Sequence, residues 1–194
     1  MHTLTGTCRH QQEIKKSRFL ATAAAVNSAE QALAFVHEVA DADATHNCWA
    51  YRIGQDYRFN DDGEPGGTAG RPILQAIEGQ GMDGVVVVVA RWYGGIKLGA
   101  GGLMRAYGGT AAECLRRAER MPIVAMATLA VHCNFAELAL LKARLKDWQA
   151  DIHGEIFDLD GVQLQLQLPE NRIGEAQARI VDISRGHSTA KRLD

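Results

Sequence analysis

The sequence predicts an α/β (α+β) chain of two domains, and three features carry that expectation. Residues 85–90 contain five successive valines, a β-branched run that suits a strand buried on both faces. Residues 162–168 alternate Val162, Leu164, Leu166 and Leu168 with Gln163, Gln165 and Gln167, the period of a strand with one wet face. Segments of helical period separate such strands, for example the one carrying Leu33, Val36 and Val39 on one face.

Taken in order, residues 1–17 are polar and include Lys15 and Lys16, and residues 18–26 read as a strand. Ser28 with Gln31 three positions on forms a capping-box arrangement, so a helix follows and ends near Asp41. Residues 48–53 read as a second strand and residues 55–60 as a short third. Residues 60–70 hold Asp61, Asp62, Gly63, Pro65, Gly66, Gly67 and Gly70, which suits a loop and no regular element. Pro72 fits the first turn of a helix, where its missing N–H costs nothing, and that helix runs through Ile73, Leu74 and Ile77 to Gly79. After the valine run, residues 94–102 make a second glycine-rich loop. A helix is expected from about Leu103 to Arg120, amphipathic through Leu103, Ala106, Thr110 and Cys114.

Met121–Pro122 is the expected domain boundary, giving domains 1–120 and 121–194, because Pro122 stops the preceding helix. Residues 123–133 then read as a strand. Asn134 with Glu137 repeats the capping box and opens a helix to about Asp147. Residues 149–157 read as a strand, Asp160-Gly161 as a hairpin turn, and residues 162–168 as the returning strand. A helix from about Asn171 to Ser184 and a short strand at 188–192 complete a β-α-β-β-α-β order, that of a ferredoxin-like unit.

A length of 194 residues suits one to two domains, 46% hydrophobic residues supply a core, and 23% charged residues exclude disorder by composition. A net charge of -2 gives no global attraction to nucleic acid or membrane, so such attraction needs a local patch. Cys8, Cys48, Cys114 and Cys133 show no CxxC spacing and read as free thiols. The N-terminus has no charged region followed by an apolar run, and residues 85–90, the longest apolar run, are too short to span a bilayer. A cytoplasmic protein without membrane partners is the expectation.

Two constellations carry chemistry. In the first, Asp61, Asp62 and Glu64 precede glycines, Thr68, Arg71 and a helix start. Glycines and backbone N–H groups at a helix start attract anions, and the carboxylates suit a hard cation such as magnesium; a turn whose acids cap the next helix explains the same residues. The second follows the buried strand: Arg91, Trp92, Tyr93, Gly94 and Gly95, then Lys97, Gly99, Gly101, Gly102, Arg105 and Tyr107. Ligands of α/β folds favour this location, the cations suit phosphates and the aromatics can stack on bases. Equally, the aromatics can be core and the glycines can let a helix pack closely. Neither the Rossmann nor the Walker glycine pattern is present. None of the seven histidines pairs with a second histidine or a cysteine at short metal-ligand spacing. His46 beside Asn47 and Cys48 opens a strand and can reach a site, with a structural histidine the leading reading; Cys48 with His46 suggests a thiol nucleophile, but residues two apart in a strand share a face without being placed to exchange a proton.

Asp62-Gly63-Glu64-Pro65 with Gly67-Thr68-Ala69-Gly70, followed by Val86 to Val89, Arg91-Trp92-Tyr93-Gly94-Gly95 and Leu98-Gly99, resembles the signature of the IMPACT family, the YigZ-like proteins also called uncharacterised protein family 0029. The match runs from about Lys16 to Leu115, and the tail from Pro122 resembles the second domain of bacterial members. The resemblance implies a ribosomal-protein-type first domain similar to domain four of elongation factor G, and a second similar to its domain five. It implies contact with RNA or the ribosome. Eukaryotic relatives modulate translation initiation under stress with the help of an additional RWD domain, for which there is no room before Lys16. Some relatives have been labelled peptidases, and no metal-ligand set here supports that activity.

The leading functional expectation is a non-catalytic protein that binds RNA or the ribosome and is linked to translation. Its candidate site comprises Asp62, Glu64, Thr68, Arg71, Arg91, Trp92, Tyr93, Lys97, Arg105 and Tyr107, without a catalytic residue or a cofactor. A metal-assisted hydrolase using Asp61, Asp62 and Glu64 is one alternative. A protein-interaction adaptor docking through Gln163, Gln165 and Gln167 is the other. Oligomeric state is not legible.

Overall fold

The computed structural model describes residues 1–193. They form two compact units, Met1–Ile123 and the chain from Val124 onward. The first unit contains β1 (His2–Leu4), β2 (Cys8–Ile14), β3 (Ser17–Ala25), α1 (Ala29–Val39), β4 (His46–Ile53), β5 (Asp56–Asn60), α2 (Gly70–Gly79), β6 (Val85–Trp92), α3 (Ala100–Arg117) and β7 (Arg120–Pro122). Five strands form one sheet in the order β2-β3-β6-β4-β5, and each neighbouring pair is antiparallel. β1 and β7 pair separately.

β6 is central because its valines are buried on both faces. Val85, Val87 and Val89 meet Ile73 and Ile77 of α2 and Leu103 and Tyr107 of α3. Val86 and Val88 meet Ala32 and Val36 of α1, with Trp49 and Tyr51 of β4. Burying one such valine stabilises the fold by about 1.5–3 kcal/mol. Ser28 accepts from the Gln31 N–H, and Gln31 accepts from the Asn27 N–H, which starts α1 as the capping pattern predicts.

Three expectations are corrected here. The polar residues 1–17 contain β1 and β2; β2 alternates exposed Arg9, Gln11 and Glu13 with half-buried Cys8, Gln12 and Ile14, and its polarity reflects its place at the sheet edge. Pro122 does not follow directly on a helix: α3 ends at Arg117, and Arg120–Pro122 pairs with His2–Leu4 inside the first unit. The strand expected at residues 123–133 accordingly begins at Met126. Finally, the second glycine loop follows the carboxyl end of β6 as expected, but the sheet is antiparallel, so the rule that ligands favour strand ends of parallel α/β sheets does not carry over.

The second unit contains β8 (Met126–Asn134), α4 (Phe135–Arg144), β9 (Asp151–Phe157), β10 (Gly161–Pro169), a 3-10 turn (Glu170–Arg172), α5 (Ile173–Ile183) and β11 (Ala190–Arg192). Its sheet runs β11-β8-β10-β9, all antiparallel, the ferredoxin-like arrangement expected of the β-α-β-β-α-β order. Leu129, Val131, Leu164, Leu166, Trp148 and Ile180 fill its core. The Asn134–Glu137 capping box is present with both bonds. Asp158 accepts from the N–H groups of Asp160 and Gly161 at the β9–β10 turn, and these bonds hold its carboxyl below the usual range. Gln163 and Gln165 face solvent and Gln167 is half-buried. No helix among the described residues is long and apolar enough to cross a membrane.

Candidate functional site

The loop between β5 and α2 organises itself around Asp61. Its Oδ1 accepts from the N–H groups of Ala69 at 2.9 Å and Gly70 at 2.8 Å, and its Oδ2 from Gly67 at 2.8 Å. The first helical N–H groups have no partner within a helix, so Asp61 caps α2 from outside it. Gly70 is obligatory, because a Cβ there would lie 2.7 Å from the Asn60 carbonyl oxygen. Asp62 turns the other way: its carboxylate accepts from the Asn47 N–H at 2.6 Å and its carbonyl from His46 Nδ1 at 2.7 Å. Thr68 is buried and donates to the Pro65 carbonyl at 2.6 Å.

Glu64 points inward. It is 8% exposed, and its Oε1 accepts from Arg91 Nη1 at 2.5 Å and from the Tyr107 hydroxyl at 2.7 Å. His46 Nε2 stands 3.9 Å from the same oxygen. Arg91 is 5% exposed, and its Nη2 also donates to Ser17 Oγ at 3.4 Å while its Nε has no partner among the described residues. Burial, followed by the neighbouring Cys48 and Glu64, keeps the Tyr107 phenol well above its ordinary range. Burial likewise pushes the Cys48 thiol up to about 12, and the thiol donates to the Asp61 carbonyl at 3.0 Å.

Above this network lies a pocket of about 470 Å³ within the first unit, lined by Thr45, His46, Glu64, Pro65, Arg91, Tyr93, Lys97, Leu98, Leu103 and the α3 start at Gly99 and Ala100. Gly94 is needed beside it, since a Cβ would lie 1.9 Å from the Lys16 carbonyl oxygen. The Tyr93 and Gly94 N–H groups are held by Thr45 Oγ1 and Ser17 Oγ. The α3 start is open by contrast. Its N-cap is Gly99, with φ 73° and ψ 164°, no side chain caps it and its first turn holds no acid. An 18-residue helix therefore presents its positive end to the pocket with no side-chain cap among the described residues.

Among the residues singled out in the sequence, the structure brings Glu64, Arg91, Tyr93 and Lys97 to the pocket, with Tyr107 beneath it. Several roles need correction. Arg91 is spent on a buried carboxylate and is no surface contact for RNA. Tyr107 is fully buried, edge-on to Phe19 at 5.2 Å, so no base can stack on it. Trp92 lies on the other face of the sheet, because strand alternation continues past the valines, and the Arg18 guanidinium covers its ring at 3.7 Å. Arg71 lines a separate groove with Tyr57 and Phe59, and Arg105 is exposed on α3 outside the pocket lining. The magnesium site built on Asp61, Asp62 and Glu64 does not assemble: each carboxylate faces different protein donors, and among the described residues no group of three or more His, Cys, Asp or Glu could hold a metal ion. Thr45 and Ser17 carry no signal in the sequence, whereas His46, read there chiefly as structural, lines the pocket. The signal for His46 was its two-residue spacing from buried Cys48, which places both on the sheet face that carries Arg91.

The family model described as Impact N-terminal domain matches residues 15–115, and one described as a domain of unknown function, DUF1949, matches residues 131–187. The chain is similar to an IMPACT family member in the pol 5' region of Thermus thermophilus, 47% identical over 174 residues that span 89% of this chain and 96% of that protein. It is similar to the IMPACT family member YigZ of Escherichia coli strain K12, 39% identical over 185 residues, 90% of this chain and 89% of the other. A solved crystal structure of a hypothetical protein, 34% identical, superposes with a TM-score of 0.75 across 100% of this chain and 97% of its own.

Proposed function

This chain belongs to the IMPACT family, and on that premise we propose that its first domain binds RNA without catalysing a reaction, seating a phosphate at the start of α3. Translation, at the ribosome, is the setting we assign to it. The observation that carries this reading is the uncapped N-terminus of α3 opening into a concave pocket. Helix starts of this kind attract phosphate through their free N–H groups and their dipole. Lys97 stands exposed at the pocket, and neither it nor Arg105 is engaged in an ion pair among the described residues. Tyr93 is 45% exposed, with the Arg91 guanidinium 5.4 Å from its ring, and offers an aromatic face for one base. The acids nearby are already engaged, Glu64 in an ion pair with Arg91 and Asp61 by hydrogen bonds from backbone N–H groups.

Fluorescence anisotropy with a short labelled single-stranded RNA tests the proposal. Affinity should fall steeply as salt is added, since cations released from phosphate drive association, and Lys97→Glu should weaken it several-fold. Undetectable binding, binding indifferent to salt, or full affinity in the Lys97→Glu variant would refute it.

A further inference from the structure

Away from the pocket, β2 and α3 bring two thiols together. Cys8 and Cys114 lie 106 positions apart in sequence, yet their Sγ atoms are 3.4 Å apart. The register is set by matching periods. On β2, Cys8 and Gln12 face α3; on α3, Cys114 and Thr110 lie one turn apart on the face toward β2. Gln12 Nε2 donates to Thr110 Oγ1, so one polar and one thiol contact stack along the same interface. Cys114 is buried. Cys8 is half-exposed and lines an open pocket of about 170 Å³ with Thr5, Thr7 and Arg117. Cys114 also donates to the Ala21 carbonyl at 3.7 Å; Cys48, which donates to the Asp61 carbonyl, and Cys133 are likewise buried.

The geometry points to Cys8 and Cys114 as a dithiol site that reacts with a hydroperoxide and closes reversibly to a disulfide. The Cys8 thiolate attacks the terminal oxygen of the hydroperoxide, the O–O bond breaks, and the departing alkoxide takes up a proton to leave as an alcohol, or as water when the oxidant is hydrogen peroxide. Cys8 is then a sulfenic acid. The Cys114 sulfur attacks the Cys8 sulfur, the S–S bond forms, the S–O bond breaks, and hydroxide leaves with the Cys114 proton as water. Two thiols lose two electrons in all, and the peroxide gains them. A dithiol reductant reverses the bond by exchange.

Three features favour this course. The access pocket reaches Cys8 and not Cys114, so the attacking and the resolving sulfur are distinguished by position. The Cys8 thiol is lowered to about 7, foremost by its hydrogen bond with Cys114, with backbone N–H groups opposing burial, which raises the fraction present as thiolate, the reactive form. Closure needs the sulfurs to approach by only about 1.4 Å to reach disulfide length, and Cys8 opens an edge strand, which has neighbours on one side alone.

The full-length protein should be treated with hydrogen peroxide, alkylated, digested without reduction and mapped by mass spectrometry. The expected product is a peptide linked through Cys8 and Cys114, with Cys48 and Cys133 alkylated, and dithiothreitol should restore four free thiols. In a Cys114→Ser variant the link should vanish and a sulfenic-acid probe should label Cys8. Oxidised wild-type protein with all its cysteines alkylated, or with Cys8 carried to sulfinic acid while Cys114 stays free, would overturn the proposal; that reading needs no variant to fold.

Discussion

Two glycine-rich loops lead into the two helices that cover the same face of the first sheet, and they treat their helix starts in opposite ways. Ahead of α2, Asp61 takes the N–H groups of Gly67, Ala69 and Gly70, so the loop closes on itself. Ahead of α3, Gly99 offers no side chain and no acid follows in the first turn, so the helix start faces the pocket. Both segments are rich in glycine and both carry charge, yet one is scaffold and the other is a candidate site. The difference is one carboxylate. A helix start satisfied from within has nothing left to give a ligand, whereas one left open keeps its field for an anion.

The comparison breaks most severely if the bond between the loops is cut. Glu64 belongs to the first loop and Arg91 to the strand that feeds the second, and both are buried. Arg91→Met leaves a buried carboxylate without its cation and should cost about 3–5 kcal/mol, read by urea unfolding; the double variant Glu64→Gln with Arg91→Met should recover part of the loss. A smaller loss is expected for Asp61→Ala, which orphans the α2 start. We expect about 2 kcal/mol by the same measurement, with Asp61→Asn falling between it and the parent. Gly101→Glu tests the converse by supplying α3 with an acid in its first turn. It should stabilise the fold by up to about 1 kcal/mol while abolishing RNA binding, a separation of stability from affinity that a merely structural loop would not show. Lys97→Glu should leave the unfolding midpoint nearly unchanged, within about 0.5 kcal/mol. Its effect belongs to affinity, and it should lower the slope of log affinity against log salt by about one.

Local signals were read directly from the chain. The capping pairs Ser28–Gln31 and Asn134–Glu137 act over three residues and appear as expected. The alternation in β10 and the valine run of β6 mark a half-wet and a fully buried strand. Signals that depend on a distant partner were not read. β1 and β7 are three-residue strands from opposite ends of the domain that pair with each other, and β1 also bonds the Gly81–Gly84 turn and buries Leu4 in the core. Trp92 was grouped with Arg91 because they adjoin in sequence, although strand alternation sends them to opposite faces. Extending the strand by two residues would have separated them.

By itself the sequence determined the family, most of the elements in order and the two segments from which a site is built, because these rest on residue type, period and short spacing. Tertiary structure alone decided what those residues do. It turned Arg91 from a surface cation into the buried partner of Glu64, assigned Asp61 to its own loop, and left the start of α3 open. It also set Cys8 beside Cys114, 106 positions away. Charge and hydrogen-bonding capacity are properties of a residue; whether they are already satisfied depends on which groups folding brings within reach.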